Sequence, residues 1–194
     1  MSSEGQVRCT AFAGFRRVAS GDLAQVAAST KEVIDGGEQA PVLIFDDVTG
    51  EQIEVDFRGS CEDVLERLGE ATETAAPRGP GRPRLGVVAH EVTLLPRHWE
   101  WLSSQPGGAS VALRKLVEQA RRENADKDRL RRSQEAAYRF MSALGGDLPG
   151  FEEATRAFFA GDRARFELQL EPWPVDVREH AKKLAAAVFA ASTG

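Results

Sequence analysis

The spacing of apolar residues changes period several times along the chain, and each change marks an element. Residues 7–19 (VRCTAFAGFRRVA) mix apolar and basic side chains and predict a strand, broken at Ser20-Gly21. Asp22 suits the N-cap of a helix running through Val26 and Val33 to Gly36-Gly37. Pro41 precedes the run Val42-Leu43-Ile44-Phe45, short enough for a buried strand, and residues 46–50 supply turn chemistry. Ile53, Val55 and Phe57 alternate with Glu54 and Asp56, the pattern of a half-buried strand. Ser60 with Asp63 forms a capping-box-like start for a short helix through Leu65 and Leu68. The first seventy residues therefore predict a small β-α-β-β-α lobe.

Residues 71–84 (ATETAAPRGPGRPR) have linker composition, with three prolines and three arginines. Beyond them, residues 88–96 (VAHEVTLLP) predict a strand that stops at Pro96, a residue suited to the first turn of a helix. Residues 97–105 make a short helix, and Pro106-Gly107-Gly108 ends it. Gly108 or Ser110 caps a longer helix, whose stripe is Val111, Leu113, Leu116, Val117 and Ala120. After a polar stretch the stripe resumes at Leu130, Ala137, Tyr138, Met141 and Leu144, which leaves open one long helix or two. Residues 151–160, 163–170 and 175–191 read as three more helices. The predicted class is α+β, in four segments: an acidic lobe (1–70), a basic linker (71–84), a strand-helix-helix unit (85–122) and an all-α C-terminal lobe (123–194).

Charge sharpens this division. Residues 1–75 carry 15 Asp/Glu against 6 Lys/Arg, whereas residues 76–122 carry 8 Lys/Arg against 3 Asp/Glu. The total is −5, so a uniformly basic nucleic-acid coat is excluded and only the middle of the chain is suited to an anionic partner. No apolar run reaches the ~18–20 residues that span a bilayer. Residues 1–6 are polar and lack the apolar core of a signal peptide, and Cys9 and Cys61 form no Cys-x-x-Cys pair. The expected location is the cytoplasm.

The order Leu95-Pro96, Gly108-Ala109-Ser110 and Leu113-Arg114-Lys115-Leu116 resembles the ribbon-helix-helix family of DNA-binding proteins. That resemblance implies a homodimer in which the strands of two copies pair, outward strand side chains face bases, and the start of the second helix holds a phosphate. It places Thr93, Arg97, Ser110, Arg114 and Lys115 on DNA, and Val92, Leu94, Trp99, Leu113, Leu116 and Val117 at the dimer interface. If Val92 and Leu94 face the core, Glu91, Thr93 and Leu95 face outward; the other frame turns His90, Val92 and Leu94 outward. Glu91 departs from the basic and neutral residues usual on such strands, which moves weight to the arginines upstream. There Gly81-Arg82-Pro83-Arg84 resembles an AT-hook core, although Pro80 stands where a basic residue is usual. Arg78, Arg82 and Arg84 then become candidates for an A·T-rich minor groove.

Over nearly its full length the chain also resembles an uncharacterised bacterial family sharing GRPRLGVVAHEVTLLPRHWEWL and PWPVDVREH. Nothing demands catalysis. His90, His98 and His180 have no metal-ligand spacing, and no nucleophile elbow or phosphate loop occurs. Asp46-Asp47 and Glu152-Glu153 fit turns and helix starts, and Trp99, Trp101, Trp173 and Phe158-Phe159 fit core or interface anchors. The expectation is a non-enzymatic, dimeric DNA-binding regulator or architectural protein without cofactor, its C-terminal lobe a candidate site for a protein partner. The alternative is an antitoxin-like interaction module in which the same unit only dimerises the chain.

Overall fold

A computed structural model describes residues 8–74, 88 and 90–192. The chain divides into two units, one built from Met1–Ala76 with Arg129–Gly194, the other from Pro77–Asp128. In the first unit the acidic head and the helical tail share one core.

The first unit opens with a hairpin. Residues 7–19, expected as one strand, turn back at Gly14, so that β1 (Arg8–Ala13) pairs antiparallel with β2 (Arg16–Asp22). Asp22 caps α1 (Leu23–Asp35), its carboxylate accepting from the Gln25 N–H at 3.0 Å. The chain then returns as β3 (Val42–Asp46), antiparallel to β1 on its other side, giving the order β2-β1-β3. A backbone N–H of β2, that of Arg17, donates to the Asp176 carboxylate at 2.8 Å. The predicted strand at Ile53, Val55 and Phe57 is absent. Gln52 makes a single bridge to Phe45, and those three side chains pack, partly buried, against the sheet without forming a ladder. The lobe is therefore β-β-α-β-α, closed by α2 (Cys61–Thr74). Ser60 and Asp63 cap α2 reciprocally: the Ser60 N–H donates to Asp63 at 2.7 Å, and the Asp63 N–H donates to the Ser60 hydroxyl at 3.2 Å.

β1 is buried on both faces. Cys9 and Ala11 pack with Val26 and Ile44, while Phe12 joins Phe45 and the helical tail. That tail comprises the later part of α4 (Gly108–Gly145), α5 (Phe151–Phe159), α6 (Arg163–Leu170) and α7 (Val175–Ser192). Phe140, Met141, Phe158, Phe166, Leu170, Val177, Ala181 and Val188 are among its most deeply buried side chains. Trp173 is buried there as expected, its indole N–H donating to the Pro149 carbonyl at 2.9 Å. No described helix is long and apolar enough to cross a membrane.

The second unit holds α3 (Pro96–Ser104) and the start of α4. Pro96 occupies the first turn of α3 behind an extended Leu95. The two predicted helical stripes of residues 109–144 belong to one continuous helix. Residues 90–95, expected as a strand, have no strand partner among the described residues. A strand exists only where a neighbour supplies the other half of the ladder, and no described segment of this chain does so.

Candidate functional site

The residues that sequence reasoning assigned to DNA all lie on the surface of the second unit where they are described: Thr93, Arg97, Ser110, Arg114 and Lys115. Arg78, Arg82 and Arg84 lie outside the described residues. Arg114 and Lys115 stand on one side of α4 with Arg122, interleaved with Glu118, Gln119 and Glu123 around a shallow concavity. The Arg114 Nε donates back to the Ser110 carbonyl at 3.1 Å, which leaves the rest of its guanidinium directed at solvent. Arg121 pairs with Glu118 at 2.9 Å, an exposed pair of the kind that contributes little to stability.

The expected dimer residues are partly gathered. Leu94, Leu113 and Leu116 line an apolar groove of about 270 Å³ together with His98, Trp101 and Leu102. Trp99 is not part of that lining, whereas Trp101, on the other side of the short helix, is. Neither tryptophan is a core residue, since Trp99 is 39% and Trp101 51% exposed. Val92 and Val117 are also exposed. Of the described residues in this unit, Leu102 and Ala112 are the buried apolar ones.

A second constellation, in the first unit, escaped the sequence. Asp47 follows β3 and is nearly covered. Its Oδ1 accepts from the Thr10 hydroxyl at 2.7 Å and its Oδ2 from the Lys183 ammonium at 2.7 Å. Thr10 also shares a hydrogen bond with Ser20 at 3.0 Å. His180 of α7 sits 1% exposed against the rings of Phe12 and Phe140, which also touch each other, with Nε2 3.7 Å from Asp47 Oδ1. No described group hydrogen-bonds that nitrogen. Burial pushes the imidazole pKa down to about 4; the Asp47 charge opposes this, and Lys183 and Arg17 reinforce it. For Asp47 burial acts upward, but hydrogen bonds from Lys183 and Thr10 and the nearby Lys183 and His180 charges hold its carboxyl below the usual range. Neighbouring Cys9 is pushed up to about 11 by burial and by Asp47, Asp46 and Asp22, so its thiol stays protonated and unreactive.

Thr10 and His180 are both inaccessible to solvent, whereas Lys183 is half exposed. The role of the cluster is to join the sheet to α7. The one signal in the sequence was His180 itself, which interrupts an apolar stripe of Val177, Ala181 and Leu184. Among the described residues no group of three or more His, Cys, Asp or Glu side chains is placed to hold a metal.

Neither a curated protein nor a solved structure matches the chain. A family model described as an uncharacterized protein conserved in bacteria (DUF2239) matches residues 8–185, and the chain belongs to this family.

Proposed function

We propose that the protein is a dimeric DNA-binding protein, a bacterial transcriptional regulator or architectural protein of the cytoplasm. In this reading residues 85–122 contact DNA and residues 78–84 form a basic arm beside them. One observation carries it. The described part of the second unit buries little apolar surface of its own, yet exposes Val92, Leu95, Trp99, Trp101, Leu116 and Val117. Helices this thinly packed are stabilised chiefly by burying an apolar face against a partner. A second copy supplies the same face by two-fold symmetry and gives residues 90–95 a strand to pair with. Two such segments form a ribbon of a size that the major groove admits.

The alternative, a module that dimerises without touching DNA, is favoured by Glu118 and Glu123, which interrupt the basic side of α4. A mobility-shift titration at two salt concentrations separates the readings. DNA binding that weakens steeply with salt supports the first, because each neutralised phosphate releases counterions. A stable dimer with no shift at low salt leaves the second.

A further inference from the structure

The buried cluster around His180 is absorbed by no part of the DNA-binding reading. We propose that Thr10, Asp47, His180 and Lys183 form an acid-sensitive latch that holds the three-stranded sheet on the tail helices and releases it when His180 takes up a proton.

The geometry carries this. Each strand side of the joint is represented: Thr10 from β1, Arg17 from β2, and Asp47 from the turn after β3. α7 supplies His180 and Lys183, and α4 presents the uncharged ring of Phe140, 4.5 Å from the imidazole. Asp47 is the hub, since one carboxylate is bonded to the sheet through Thr10 and to α7 through Lys183. The neutral imidazole packs as an aromatic ring against Phe12 and Phe140, the third member of a triangle of touching rings. A proton added from solvent makes it a cation in that aromatic slot. The new charge is then opposed by two cations, Lys183 and Arg17, and favoured by Asp47. Asp47 is already engaged by Lys183 and Thr10, so it cannot fully compensate the new charge.

The sign follows. A histidine free in water takes its proton near its ordinary value, about 6.5, whereas His180 in place holds one only near pH 4. Between these values acid favours any state in which the ring reaches water. The joint that confines the ring is the one between the sheet and α7. The α5–α6–α7 packing through Phe158, Phe166, Leu170 and Phe189 does not involve it. Acid is therefore expected to open the sheet side first, while the tail stays folded.

Hydrogen exchange followed by mass spectrometry tests this on the full chain, at about pH 7 and about pH 4.5, corrected for intrinsic exchange rates. The expected result is a loss of protection of at least ~10-fold in β1 and β3 with α5–α7 unchanged. His180→Phe, which keeps a ring in the slot but takes no proton, is expected to retain protection in β1. Should that variant not fold, Cys9 offers a second readout. In a Cys61→Ala chain, Cys9 is fully buried at neutral pH and is expected to react with an acid-tolerant pyridyl disulfide as the sheet opens. Unchanged protection in β1 and β3 at the lower pH overturns the proposal. So does simultaneous loss in sheet and tail, or a Cys9 that stays unreactive in acid.

Discussion

Gly145 and Trp173 are in direct apposition: a β-carbon on the glycine would stand 2.4 Å from the indole ring. The ring that closes the tail core occupies the space a side chain on the last residue of α4 would need. Gly145→Ala is expected to lower unfolding free energy by about 1–3 kcal/mol through overpacking. Trp173→Ala, which leaves a cavity and the Pro149 carbonyl unpaired, is expected to cost about 3–5 kcal/mol. Urea denaturation of both variants checks the order, and the double variant should cost less than the two single changes added.

Gly50 makes the corresponding contact on the sheet side. Its φ of +66° is in the left-handed region, and a Cβ would lie 2.2 Å from the Ala136 carbonyl oxygen. No rotamer relieves a clash with backbone. Gly50→Ala is therefore expected to destabilise by at least about 3 kcal/mol, combining strain with displacement of the turn from α4. A thermal melt reads this directly.

Lys183 acts on two titrations at once. Removing its charge with Lys183→Met is expected to raise the His180 pKa from about 4 and to raise that of Asp47 as well, both visible by NMR titration. The stability that Asp47 contributes is present above the carboxylate's unfolded value and is lost as pH falls through its lowered folded value. In the variant that contribution should be smaller, and its loss complete at a higher pH.

On α4, the paired change Arg114→Ala, Lys115→Ala is expected to weaken DNA binding at every sequence tested. If both touch phosphates, the salt dependence should fall by about 0.9 per lost contact. An unchanged slope removes this face from the DNA site. Arg82→Ala with Arg84→Ala tests the basic arm in the same assay.

Leu116→Glu places a charge in the apolar groove shared by Leu94, Trp101 and Leu113. Sedimentation is expected to show a monomer in place of a dimer, with DNA affinity falling in parallel. A wild-type chain that sediments as a monomer at high concentration removes the second copy from this face.

The helical tail was legible in the sequence because its stripes keep one period and its breaks fall at Gly145-Gly146, Gly161-Asp162 and Pro172-Trp173-Pro174. The sheet was less so. β1 shows no alternation because both its faces are covered, and Gly14 was hidden as a turn between two apolar-basic stretches. Ile53, Val55 and Phe57 alternate for a different reason: they cover the sheet, and beyond the Ile53 N–H bond to the Ile44 carbonyl beside the Gln52 bridge they build no ladder on it. Asp46 and Asp47 looked alike as turn residues. Asp46 is one, accepting from the Val48 and Thr49 N–H groups, whereas Asp47 reaches side chains far away in sequence. No local pattern can reveal a joint between Thr10 and His180, which are brought together only by the fold.

That joint sets an order of events during synthesis. Phe12 and Phe45 meet each other within the sheet, but Phe140 and His180 cover them only after α4 and α7 have left the ribosome, so the nascent sheet must wait, apolar face uncovered, for most of the chain to be made. The intervening unit emerges during this delay. A chain released early would present that uncovered face to other chains and so be open to aggregation.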